Sequence, residues 1–338
     1  MSLKIAINGM GVIGREMLKT LFHQEGIEVV LLNDTVSPKN LEYLLKYDSL
    51  YHDKKLATVT STEDSVVIEG KEIKLCNCSN LNDLPLGNYG VDIVLECTGS
   101  FKNKAACQSF LNGGANHVIT CYNLGSDTPA FVPDINQESL KKEDTIITVP
   151  EMETQVAAAV LKILNDELGV ESAILKAFRS FTNAQPTMDS YVTNDFTRGR
   201  SAPVNITPVS DGFAKNIGLV VPELNGKING LAYRSPVING SIMDFTIKTQ
   251  KSIDSDALRT QLKASCNESI GYNEDALCSS DALAFDAPQI IVQRNIIMPL
   301  EDGSSLINLS VAYDNVRGYC NQMARFLKWV TQPASPWN

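Results

Sequence analysis

Imidazoles are scarce in this sequence. Only three histidines occur among 338 residues, at 23, 52 and 117, so acid–base chemistry in the rest of the chain has to use other groups. Long apolar runs are missing as well: a stretch of about 18 uncharged apolar residues occurs nowhere, and no apolar segment precedes a small-residue cleavage site at the N-terminus. The expectation is a cytoplasmic protein with no membrane partner. Positive charge is in deficit. Against 39 Asp plus Glu stand 29 Lys plus Arg, a formal charge of −10, which disfavours nucleic acid and anionic lipid as partners. Eight cysteines, at 76, 78, 97, 107, 121, 266, 278 and 320, are too sparse and irregular for a disulfide framework and read as reduced thiols. Cys76 and Cys78 lie close in sequence, but no second pair or histidine accompanies them. They read as strand residues, and no metal site is expected.

What is present suffices for packed cores. Hydrophobic residues make up 43% and charged residues 20%, the proportions of a globular chain, and the length predicts about two domains. No internal repeat or low-complexity tract is visible. Residues 4–8 read as a buried strand, followed by Gly9-Met10-Gly11-Val12-Ile13-Gly14 and a helical pattern over 15–24 with Met17, Leu18, Leu21 and Phe22 on one face. A second buried strand at 29–34 completes a β-α-β unit. Strands at 91–96 and 117–120 with a helix at 102–112 between them extend it, so residues 1–150 read as one doubly wound domain. Beyond that point a helix at 153–168 is followed by strand-like runs at 172–179, 228–234, 240–248 and 304–313, a mixed α+β domain over 151–317. Residues 183–208 read as a long functional or interfacial loop. A C-terminal helix at 318–330 is expected to pack back onto one of the domains, and the segment 318–338 is assigned to the first.

Glycines at 9, 11 and 14 fit the dinucleotide fingerprint of a Rossmann-type domain: a tight turn, close backbone approach to a pyrophosphate, and close helix–strand packing. The helix that starts there aims free N–H groups at the anion. Asp34 ends the next strand 20 residues after Gly14, where a carboxylate binds ribose hydroxyls and repels a 2′-phosphate. The cofactor expected is NAD.

The segment Lys4-Ile5-Ala6-Ile7-Asn8-Gly9-Met10-Gly11-Val12-Ile13-Gly14-Arg15 resembles the opening of glyceraldehyde-3-phosphate dehydrogenase. So do Leu32-Asn33-Asp34, Tyr47-Asp48-Ser49, Glu96-Cys97-Thr98-Gly99-Ser100-Phe101, Gly113-Gly114-Ala115, the run from Val221 to Arg234, and Tyr313-Asp314-Asn315 followed by Gly318-Tyr319. The resemblance runs nearly end to end. It implies an α/β fold with a Rossmann-type NAD-binding domain and the family's C-terminal domain, and a homotetramer with Arg198 and Arg200 near subunit contacts. It also implies NAD contacts from Asn8, Gly9, Gly11, Val12, Ile13, Asp34, Thr98, Gly99, Asn315 and Tyr319, and substrate contacts from Thr182 and Arg234. Tyr47 and His52 read as structural.

The family's catalytic pair is where the resemblance breaks. Its segment Ser-Asn-Ala-Ser-Cys-Thr-Thr-Asn lines up on Thr148-Val149-Pro150-Glu151-Met152-Glu153-Thr154-Gln155, which places Met152 at the nucleophile. A thioether cannot ionise or form a hemithioacetal. The family's histidine falls on Arg179, a permanently charged group that cannot act as a base. Where the family surrounds the attacking phosphate with hydroxyls, this chain has Glu151, Glu153 and Asp211, which repel phosphate or pair with Arg179 and Arg234. Glu151 and Glu153 also suit the first turn of a helix, with Thr148 and Glu151 in capping-box spacing. Two functions remain open on sequence. One is an NAD-dependent oxidoreductase acting directly on a small polar substrate, with Arg179, Glu151, Glu153 and Asp211 as catalytic candidates. The other is a non-catalytic paralogue that binds for regulation.

Overall fold

The computed structural model describes residues 2–51, 55–193, 195–209, 212–285 and 289–338. His52 and Asp211 lie outside the described residues. The chain divides into two compact units, residues 1–150 with 320–338, and residues 151–319.

β1 (Leu3–Asn8) has its last four residues buried and leads into Gly9, whose φ of +95° turns the chain toward α1 (Val12–Leu21). The helix expected at 15–24 thus starts and stops three residues earlier. Gly14, a poor helix former, lies inside its first turn because a Cβ there would stand 1.9 Å from the Gly9 carbonyl oxygen. β2 (Ile27–Asn33) runs parallel to β1. α2 (Pro38–Lys46) starts at a Ser37 cap, with proline at its first position. Three short strands follow, of which only the strand place of Cys76 was expected: β3 (Val59–Ser61), β4 (Ser65–Ile68) and β5 (Lys71–Cys76), joined antiparallel, with β5 parallel to β2. Cys76 ends β5, whereas Cys78 lies past it.

α3 (Leu86–Tyr89), β6 (Ile93–Glu96), α4 (Gln108–Asn112), β7 (His117–Thr120) and β8 (Ile146–Thr148) complete the first unit's sheet and crossovers. The helix expected at 102–112 is a 3-10 turn, Lys104–Cys107, and the five-residue α4. Past its Gly113 cap the chain leaves the helical region at Gly114, φ +103°, where a Cβ would meet Gly87 Cα at 2.8 Å. The sheet order is β3-β4-β5-β2-β1-β6-β7-β8, parallel from β5 onward. Its order reverses at β1, and ligands of such sheets bind outside the carboxyl ends of the strands at that switch point.

α5 (Met152–Leu168) opens the second unit and is buried along most of its length. No capping box forms at Thr148: that residue ends β8 with its hydroxyl 2.9 Å from that of Thr120, and Glu151 is itself the helix cap position. The second sheet contains β9 (Val170–Ser180), β10 (Thr207–Val209), β11 (Ile228–Ser235), β12 (Ser241–Thr249), β13 (Ile270–Asn273), β14 (Gln289–Pro299) and β15 (Ser305–Tyr313), in the order β10-β11-β9-β12-β15-β14-β13. β14 escaped the sequence pattern because its register slips between Val292 and Asn295, which breaks alternation. α5 and α6 (Phe213–Val220) lie against β9, β11 and β12, and α7 (Ser255–Ala264) lies against β13 and β14. Met243, Phe245 and Ile247, alternate residues of β12, are fully buried. The segment 183–208, expected as loop, carries two 3-10 turns, Phe196–Gly199 and Ala202–Val204, and the start of β10. α8 (Arg317–Val330) returns the chain to the first unit. Among the described residues no helix is long and apolar enough to cross a membrane.

Candidate functional site

In the first unit the three glycines differ in what a side chain would meet. At Gly9 a Cβ would come within 2.7 Å of Thr98 Cγ2, and at Gly14 it would collide with the Gly9 carbonyl; at Gly11 it would meet nothing within 4 Å among the described residues. Gly9 and Gly14 are therefore fixed by the fold, while Gly11 borders open space, the place where a pyrophosphate can approach backbone. The first α-helical hydrogen bond runs from Arg15 N to Gly11 O at 3.0 Å, so the N–H groups of Val12 and Ile13 precede the helical ladder and suit an anion.

Asp34 stands just past β2. Its Oδ2 accepts from Met10 N at 2.6 Å and its Oδ1 from Val36 N at 3.1 Å, which ties the glycine turn to the end of the second strand. Arg15 Nη1 donates to Met10 O at 3.0 Å from the other side. Asn8 is buried, accepting from Asn33 Nδ2 at 2.7 Å and donating to Glu96. Glu96, fully buried at the end of β6, also accepts from Thr98 N at 2.7 Å and from the Thr98 hydroxyl. Burial raises the Glu96 carboxyl pKa, partly offset by these hydrogen bonds. Asn8 thus braces the loop, while Thr98 and Gly99 are exposed beside it.

The second unit assembles a different cluster at the start of α5. Met152 is the first helical residue and only 2% exposed. Glu153 Oε1 accepts from the buried Tyr313 hydroxyl at 3.2 Å and lies 3.3 Å from Arg179 Nη1. Glu151 turns elsewhere: its Oε1 accepts from Thr154 Oγ1 at 2.7 Å and from Asn216 Nδ2 at 2.9 Å. Burial raises the Glu151 pKa against these donors, and the neighbouring Glu153 adds to the rise. Arg179 and Arg234 are register partners on the parallel strands β9 and β11, so they emerge side by side on one face. Arg234 Nη1 donates to Ser180 O at 2.7 Å. Thr182 Oγ1 donates to Gln185 Oε1 at 3.1 Å. Asn315 Oδ1 accepts from Ser241 Oγ at 3.2 Å and its Nδ2 donates to Ser180 Oγ at 3.1 Å; Tyr319 is buried. Among the described residues no cluster of His, Cys, Asp and Glu has the makings of a metal site.

Two family models match the chain: glyceraldehyde 3-phosphate dehydrogenase, NAD binding domain, over residues 3–104, and glyceraldehyde 3-phosphate dehydrogenase, C-terminal domain, over residues 153–315. The chain is 35% identical over 332 residues to the glyceraldehyde-3-phosphate dehydrogenase of Clostridium pasteurianum, an alignment covering 98% of this chain and 99% of that one. This chain belongs to the glyceraldehyde-3-phosphate dehydrogenase family. It is 35% identical to the enzyme of that name from Lactobacillus delbrueckii subsp. bulgaricus, covering 97% of this chain and 98% of the other, and 34% identical to that of Streptococcus pyogenes, covering 99% and 100%. The α/β class, a Rossmann-type NAD-binding domain followed by the family's C-terminal domain, is as expected, and NAD is the cofactor of the first unit.

Three residues of this glyceraldehyde-3-phosphate dehydrogenase-family chain, two in the second unit's cluster and one in the first unit's turn, carried no role on sequence. Tyr313 reaches Glu153 across 160 residues, Asn216 reaches Glu151 across 65, and Glu96 organises Asn8 and Thr98. Only Glu96 had a local signal, an acid ending an apolar strand just before Cys-Thr-Gly.

Proposed function

We propose that this chain is an NAD-dependent oxidoreductase that does not use a cysteine thioester and does not take glyceraldehyde 3-phosphate through phosphorylation. The observation carrying this reading is a buried methionine as the first residue of α5, the position that aligns with the family's nucleophile. The Arg179–Glu153 pair at 3.3 Å supports it, because a guanidinium already paired with a carboxylate neither accepts a proton nor activates a thiol. When bound, NAD accepts or supplies a hydride. The chain's own groups divide the remaining work. Gly9, Gly11, Val12, Ile13, Asp34, Thr98 and Gly99 hold the dinucleotide, with Asn8 bracing them and Asn315 and Tyr319 assigned by resemblance.

Glu151, kept protonated to higher pH by burial, moves a proton to or from substrate oxygen or nitrogen. Arg179 polarises that oxygen or holds a carboxylate, Glu153 and Tyr313 fix its guanidinium, and Thr182 and Arg234 hold an anionic group. Asp211 joins this acidic group on sequence alone. A small zwitterionic substrate suits such a mixture of charges, the assembly is a homotetramer, and the location is cytoplasmic. A second reading, a binding paralogue without turnover, is favoured by one observation: the charge that replaced the family's histidine is already engaged by Glu153.

Purified protein given glyceraldehyde 3-phosphate, NAD and phosphate should produce no NADH and acquire no acyl adduct by intact mass. Robust turnover sinks the proposal. Asp34→Ala should weaken NAD binding by about 1–3 kcal/mol in calorimetry. Unchanged affinity removes Asp34 from the cofactor site. Hydride exchange with a panel of amino and hydroxy acids separates the enzyme from the binding paralogue, which gives NAD affinity and no turnover on any of them.

A further inference from the structure

All eight cysteines are free thiols, and two of them meet at the carboxyl ends of adjacent parallel strands. Cys97 follows β6 and Cys121 follows β7, one residue beyond the register pair Glu96 and Thr120, and the ladder continues through Cys121 N to Glu96 O at 3.0 Å. Their Sγ atoms stand 3.3 Å apart. Neighbouring strands bring Cα atoms to about 4.8 Å, inside the range a disulfide spans, and register partners point their side chains to the same face. Bonding requires the sulfurs to close to about 2.05 Å, a shift that side-chain rotation supplies with little backbone movement.

The position matters for the cofactor turn. Cys97 N donates to Asn8 O at 2.8 Å, and a Cβ on Gly9 would lie 3.1 Å from the Cys97 carbonyl carbon. Cys97 is therefore pressed against the first glycine of the dinucleotide turn, and Thr98 and Gly99 follow it directly. We propose that Cys97 and Cys121 form a modification site, closing to a disulfide that draws the 97–99 loop toward β7 and lowers affinity for NAD. The co-reactant is a small-molecule disulfide. One protein thiolate attacks it and releases a first small thiol, then the other protein thiolate displaces the second; two protein thiols lose two protons and two electrons, and the reagent's S–S bond becomes two thiols.

The hydrogen bond shared with Cys121 and then burial hold the Cys97 thiol protonated well above the usual range, so the exchange is slow at neutral pH and faster in alkali. Cys320 is the third thiol within electrostatic reach of Cys97 and the competitor for any linkage, although its Sγ lies 3.7 Å from Ile13 O.

Equilibrating the full-length protein with mixtures of reduced and oxidised glutathione, followed by thiol trapping and peptide mapping, tests the site. The Cys97–Cys121 linkage should dominate, and the oxidised protein should bind NAD about fivefold or more weakly than the reduced protein. Reciprocity then requires saturating NAD to favour the dithiol, raising its midpoint potential by about 20 mV for that fivefold change. Cys121→Ala should abolish both effects; the wild-type comparison stands without it if that variant folds poorly. A map showing only glutathione adducts, or a Cys97–Cys320 linkage, overturns the site. A Cys97–Cys121 disulfide with unaltered NAD affinity overturns its coupling to the cofactor. Because NAD binding alone is read, neither result bears on the substrate or on turnover.

Discussion

Removing the guanidinium of Arg179 while leaving Glu153 strands a carboxylate that is only 5% exposed and that also accepts from the Tyr313 hydroxyl. Breaking a buried pair from one side costs about 3–5 kcal/mol, so Arg179→Leu should lower stability by that amount in urea titration. Arg179→Leu with Glu153→Leu should recover part of it, since both charges of this pair are then removed together. A double variant as unstable as the single one contradicts this account of the pair.

Glu151 makes a pH prediction of definite sign. A carboxyl whose folded pKa lies above its ordinary value of 4.5 binds a proton more tightly in the native state, so stability is greatest below that value and declines as pH rises through the raised one. Glu151→Gln should flatten this portion of the stability–pH curve while keeping the hydrogen bond from Thr154. An unchanged slope removes Glu151 as its origin.

At the scale of an element, the strand–turn–helix from β1 to α1 separates glycines needed for folding from the one needed for a ligand. Gly14→Ala forces a Cβ onto the Gly9 carbonyl, and Gly9→Ala combines a φ of +95° with contact at 2.7 Å on Thr98. Each should cost at least about 1–3 kcal/mol in thermal unfolding. Gly11→Ala meets no neighbour within 4 Å among the described residues and has an ordinary φ of −65°, so its melting temperature should hold while NAD affinity falls in calorimetry. Equal losses of stability at all three positions rule out this division. The turn and its glycines were legible because each requirement is local. The helix limits were not, since Gly14 weakens helical propensity in a window of sequence but strengthens packing against a carbonyl five residues back.

For the whole molecule, the C-terminal tail of the first unit is latched by Trp337 stacked on His117, with ring centroids 3.9 Å apart and planes 17° from parallel. Burial lowers the His117 pKa from 6.5 to about 4, so the native state resists a proton that the unfolded chain accepts. Stability is then full above 6.5 and diminishes as pH falls toward about 4. Trp337 fluorescence should report release of the tail on acidification through that window, and His117→Phe should move the change to lower pH or remove it. A wild-type signal flat across the window argues against the latch.

The sequence by itself determined the two-unit α/β plan, the dinucleotide turn and the absence of an ionisable sulfur at residue 152, because each follows from the stereochemistry or chemistry of the residues in place. Which acid meets the arginine was a tertiary decision. Arg179 and Arg234 become neighbours only through the register of β9 with β11, and Glu153 is shared between Arg179 and Tyr313, the latter 160 residues beyond Glu153, only once α5 and β15 are in place. The same holds for Glu151, drawn to Thr154 and Asn216. Spacing along a chain fixes periodicity and turns; it carries no record of which distant side chains a sheet will set side by side.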